Sequence, residues 1–173
     1  MSGDMGLFRR RPRTTAAELA RTLYEQIAQP SETVNRSLRV IAQKMQRRAK
    51  RDLRTIVLEL FYFRAYMMIS AIQETLASRD QGTLPRLIAA LESDREFWAG
   101  YAERARSYDE AIAKANVDGS PDLVLMATFQ ELLDNPDPDN LLIGLRAWHQ
   151  FAPKIKELEK LLRRSIITPA ASE

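Results

Sequence analysis

Cysteine is absent from this 173-residue chain, and histidine occurs once, as His149. The first absence excludes disulfides, thiolate metal sites and cysteine nucleophiles, and it fits a reducing, cytoplasmic location. The second excludes two-histidine zinc sites and the Glu-x-x-His pairs of di-iron bundles. The six glycines form no phosphate-cradling loop, G-x-S-x-G elbow or Walker sequence. DNPDPDN at 134–140 lacks the alternating ligands, glycine and terminal Glu of an EF-hand. Asp94/Glu96 and Asp109/Glu110 read as exposed helix-face charge, and His149, in RAWHQF beside Trp148, reads as a partly buried structural imidazole. No catalytic, cofactor-binding or metal residue is assigned, and the chain is expected not to be an enzyme.

A long clean apolar run is also missing. The most apolar stretch, from Ile56 to Ile72, contains Glu59, Arg64 and Ser70, and it falls short of the ~20 apolar residues of a membrane span. It is expected to be a buried core helix, with no transmembrane segment in the chain. The arginines of the first thirteen residues are not followed by an apolar run, so no export signal is complete. Residues 1–13 read as a flexible basic arm.

What is present is helical periodicity. Thr15 followed by Glu18 makes a capping box for a first helix, which Pro30 ends, and Ser31 offers a second cap. From Glu32 to Arg79 there is neither Gly nor Pro, which permits one long helix, with a break near residues 50–54 as the alternative. A third helix is expected from a Thr83 cap to about Val117. A fourth occupies PDLVLMATFQELLDN, with Pro121 in its first turn. The last runs from Asp139 to about Ile166, kinked or split at Pro153. These elements predict an all-α fold: an antiparallel up-down bundle of four to six helices around one long central helix. The bundle domain is placed at 14–166, with a disordered tail at 167–173. The fragments LFRRRP and LYEQIAQP resemble the start of bacterial ubiquinol-cytochrome c chaperone sequences; the resemblance covers under a tenth of the chain and ends there, and it implies nothing about site residues.

Charge is unevenly spread. Residues 1–80 carry 15 basic and 8 acidic side chains, whereas residues 81–173 carry 11 and 15. The densest positive segment, TVNRSLRVIAQKMQRRAKR at 33–51, holds Arg36, Arg39, Lys44, Arg47, Arg48, Lys50 and Arg51 with no acidic residue. At about 100° per residue the cations take one half of the wheel, and Val34, Leu38, Ile41, Met45 and Ala49 the other. Such a face can hold an acidic protein, a phosphate backbone or an anionic lipid surface. It can also be a solvated face balanced by the acidic half of the chain. Nucleic acid lacks support from a helix-turn-helix, a zinc site or interleaved aromatics, and an interfacial membrane helix lacks its Trp or Phe anchors. A protein partner is expected by elimination.

Glu59 and Arg64 stand out because a buried lone charge costs several kcal/mol. They are five residues apart, too far round a helix to pair, so each is expected to find a partner on another helix or to reach the edge. Their expected role is structural, and the functional alternative is a polar spot that orients a ligand. Because 56–72 is apolar around nearly its whole circumference, a second copy of the chain is a possible cover, and homodimerisation is expected on that ground. The reading is a non-catalytic helical interaction module, with binding of nucleic acid or an anionic surface through 33–51 as the alternative.

Overall fold

A computed structural model describes residues 13–46, 51–115, 120–133 and 142–169. The fold is all-α. Its elements are β1 (Arg13–Thr15), α1 (Ala16–Ala28), α2 (Glu32–Gln46), α3 (Leu53–Leu76), α4 (Thr83–Ser93), α5 (Arg95–Lys114), α6 (Pro121–Leu132), α7 (Leu142–Arg164) and β2 (Ile166–Thr168).

Local chemistry sets the boundaries. The Thr15–Glu18 capping box is present in full: Glu18 N–H donates to Thr15 Oγ1 at 3.2 Å, and Thr15 N–H donates to Glu18 Oε2 at 3.0 Å. Those hydrogen bonds to Thr15 hold the Glu18 carboxyl below its ordinary pKa. The glycine-free run from 32 to 79 is two helices, not one. Asp52 interrupts it with extended backbone, and its carboxylate accepts from Thr55 N–H at 3.0 Å and Thr55 Oγ1–H at 2.7 Å, making it the N-cap of α3.

The helix expected over 83–117 is likewise divided. Asp94 ends α4 and begins α5, accepting from Phe97 N–H at 3.0 Å on one oxygen and from the Tyr24 hydroxyl at 3.0 Å on the other. An Asp at this position offers the backbone an alternative to the helical bond, and here a tyrosine from α1 fixes it. Thr83 is not the cap of α4. Gly82, at φ 91°, takes that position, a left-handed conformation open to glycine, and Asp80 Oδ1 accepts from the N–H groups of Thr83 and Leu84.

Pro153 does not split α7, which is continuous from Leu142 to Arg164. The proline lies on the exposed side, and the missing N–H leaves only the carbonyl of His149, itself an exposed residue, to water. The boundary expected at 166 falls inside the strand pair: Arg13 pairs with Ile166, Thr14 with Ile167 and Thr15 with Thr168, in parallel. Arg79 secures this corner, its guanidinium donating to the carbonyl of Arg163 at 2.7 Å and to that of Ser165. The two carbonyls belong to the end of α7, where backbone acceptors lack helical partners.

α3 is the centre of the bundle, at 24 residues rather than the longest length its sequence permitted. It packs against α1, α2, α5, α6 and α7, while α4 joins α1 and α5, and α6 joins α5 and α7. Ile56, Leu60, Phe63, Ala65, Ile72 and Leu76 are completely buried. Phe63 stacks on Phe129 of α6 at 4.7 Å between ring centres and touches Tyr108 of α5 and Phe151 of α7. By length and composition α3 could cross a membrane, but two thirds of its most apolar stretch is covered by the other helices.

Candidate functional site

α2 and α7 both pack on α3, and a groove of about 910 Å³ opens between them. On α2 the sequence places two rows at i, i+4 spacing: Arg36, Val40 and Lys44 form one, and Ser37, Ile41 and Met45 the other. Arg146 and Gln150, one turn apart on α7, form the opposite wall. Leu38, Ala42 and Met45 point into the core, so the Arg36 row faces solvent by the geometry of the helix. The groove has a partly apolar floor and a cationic rim, and no carboxylate is among its described lining residues. Val40, 45% exposed, is the one large apolar side chain on α2 left open to solvent among the described residues.

The cations predicted for this face separate in the structure. Arg36 and Lys44 line the groove; Arg39 is exposed on the same helix but outside the lining; Arg51 is exposed beside Asp52. Arg47, Arg48 and Lys50 lie outside the described residues. Arg36 Nη2 lies 3.2 Å from Glu32 Oε1, an exposed pair one turn apart, of the kind that contributes ~0.3–0.5 kcal/mol and exchanges readily for another anion. Arg146 is the member that sequence reasoning missed. It lies 110 residues from Arg36, and only the packing of both helices on α3 brings them to one groove.

The two buried polar candidates have different fates. Glu59, 5% exposed, is held by Arg104 of α5, which donates from Nε at 2.8 Å and from Nη2 in a bidentate pair. Arg104 also donates to the carbonyl of Gly100 at 3.0 Å and lies over the Tyr62 ring at 4.8 Å. The hydrogen bonds and charge of Glu59 hold the guanidinium's pKa above its ordinary value. Arg64 is partly buried and donates from Nη1 to the carbonyl of Gln26 at 3.1 Å, in the last turn of α1. Burial pulls its pKa down.

Several other polar groups depart from their expected places. His149 is exposed, not partly buried, because it lies on the solvent side of α7 opposite Ala147 and Phe151. Asp94 is only partly exposed and caps α5 as described, whereas Asp109 is exposed on α5 as expected and also accepts from the Tyr66 hydroxyl at 2.7 Å. The Tyr108 hydroxyl is buried with no hydrogen-bond partner among the described residues. No group of three or more metal-ligating side chains occurs among the described residues.

About two thirds of the most apolar stretch of α3, the reason for expecting a second copy, is covered within one chain. Leu58, 43% exposed, is its single large apolar side chain left open. Comparisons of the chain with protein-family models, with curated proteins and with solved structures find no match.

Proposed function

We propose that this chain is a non-catalytic helical interaction module that seats an acidic, amphipathic segment of a partner protein in the groove between α2 and α7. The observation that carries the reading is the pairing of Arg36 and Lys44, with the exposed Val40 between them, with Arg146 across the Ile41 and Met45 floor, without a carboxylate among the described lining residues. An amphipathic helix buries one stripe and keeps charge at its margins. A groove with an apolar floor and cationic walls complements such a helix when its marginal charges are acidic. The described lining has no aromatic ring on which a base could stack, so nucleic acid is the weaker reading.

Fluorescence anisotropy on the full chain tests this with three probes: a labelled helical peptide patterned with Leu and Glu, labelled duplex DNA, and vesicles of anionic lipid. The peptide is expected to bind best. Arg36→Glu, Lys44→Glu and Arg146→Glu together remove three exposed charge contacts at ~0.5 kcal/mol each, so binding should weaken at least roughly tenfold. Preference for DNA or vesicles, or a peptide affinity that ignores the triple reversal, would overturn the reading.

A further inference from the structure

A second cavity, of about 280 Å³, lies where the end of α1 meets α3 and α7. Its apolar wall is Met68 of α3 with Phe151, Ile155 and Leu158 of α7, and Arg64 stands one turn before Met68. Lys154 and Glu157 are exposed members of the lining, and with Arg64 they leave the cavity one positive charge in excess.

The two arginines that serve α3 differ in one respect. Arg104 meets a carboxylate, a carbonyl and an aromatic face. Among the described residues Arg64 has one neutral acceptor, the Gln26 carbonyl, and no carboxylate partner. A guanidinium carries five N–H donors, and the Gln26 carbonyl takes one of them, beside an apolar wall. The carbonyl end of α1 offsets only part of the charge, about half a unit at most. A partly buried cation at the edge of an apolar cavity matches a ligand with one anionic head and one apolar body.

We propose that this cavity binds a small aliphatic monocarboxylate, its carboxylate on Arg64 and its chain against Met68, Phe151, Ile155 and Leu158. The site is separate from the groove between α2 and α7 and does not depend on the reading given for it. The carboxylate takes the guanidinium donors that the Gln26 carbonyl leaves over, and Lys154 adds attraction at the rim. The chain displaces water from a surface that offers it few hydrogen bonds.

Calorimetric titration of the full chain with octanoate, and with octanamide as a neutral molecule of the same shape, tests the proposal. Octanoate is expected to bind at one site, with octanamide at least about tenfold weaker, as the loss of a charge-assisted contact implies. Arg64→Leu and Leu158→Trp should each weaken octanoate by about tenfold or more, the first by removing the cation and the second by filling the cavity with Arg64 intact. Circular dichroism melts identify a variant that fails to fold; should Arg64→Leu do so, Leu158→Trp decides. Equal binding of the two probes, no heat with octanoate at millimolar concentration, or unchanged affinity in folded Leu158→Trp would overturn it.

Discussion

Glu59 on α3 and Arg104 on α5 form a bidentate ion pair inside the bundle, with the arginine braced on its other side by the ring of Tyr62. The pair joins the central helix to a neighbour through charges that neither helix could bury alone. Removing one partner leaves the other charge uncompensated. Arg104→Leu or Glu59→Leu should each cost about 3–5 kcal/mol, whereas the double variant should recover most of that loss. Urea unfolding of the four proteins in a double-mutant cycle measures this; additive losses would show that the pair is not coupled.

Two tyrosines in contact predict opposite effects of losing a hydroxyl. Tyr66 and Tyr108 have ring centres 4.8 Å apart, but the Tyr66 hydroxyl donates to Asp109 and the Tyr108 hydroxyl is buried without a partner among the described residues. Tyr66→Phe should destabilise by about 1–2 kcal/mol, since the bond it loses is to a charged acceptor. Tyr108→Phe should be neutral or stabilising by up to ~1 kcal/mol, because it removes an unsatisfied polar atom from the core. Chemical denaturation of both variants reads the difference, and a marked loss in Tyr108→Phe would contradict the assignment.

Glycine-to-alanine changes inside helices ordinarily stabilise by up to ~1 kcal/mol. At Gly100 and Gly144 the sign should reverse. A Cβ on Gly144 would lie 2.4 Å from the Met126 carbonyl oxygen, and one on Gly100 would lie 2.0 Å from the Tyr62 hydroxyl. Each substitution should cost about 1–3 kcal/mol by overpacking. Gly144→Ala should be the worse of the two, since backbone yields less readily than a side chain. Thermal melts check the order.

All five tyrosines of the chain have phenols raised above their ordinary pKa of 10.0, with burial as the largest cause in each case. Hydrogen bonding to Asp94 adds to the shift at Tyr24, and hydrogen bonding to Asp109 adds to it at Tyr66. The folded chain therefore retains phenolic protons that the unfolded chain releases. Their contribution to stability is complete below pH 10 and is lost as pH rises through the higher native values. Ultraviolet titration should show little phenolate in the native protein at the ordinary pKa, followed by cooperative ionisation together with loss of helicity. Independent titration of several tyrosines with helicity intact would contradict their burial.

The fold was legible where local chemistry is self-contained. Thr15 with Glu18, Pro121 at a helix start and the apolar run through Phe63 announce capping, entry and burial without tertiary help. Helix breaks at Asp52 and Asp94 were harder to place, because an aspartate inside a polar stretch reads equally as exposed charge. What fixes Asp94 is Tyr24, seventy residues away. Charge partners followed the same rule. The distance between Glu59 and Arg64 excluded their mutual pairing, but nothing in the spacing selected Arg104 for one and the α1 terminus for the other. In the groove, α2 announced its cations by periodicity, whereas Arg146 is an isolated arginine on α7 that acquires meaning only beside Arg36.

The pairing of Arg13–Thr15 with Ile166–Thr168 has a mechanical consequence. The strands run parallel, so tension applied before Arg13 and after Thr168 pulls along them in opposite directions. The ladder is then loaded in shear, and its hydrogen bonds share the strain together instead of opening one at a time. Two three-residue strands thus act as a latch against end-to-end extension, while a pull perpendicular to them would peel the same bonds in sequence.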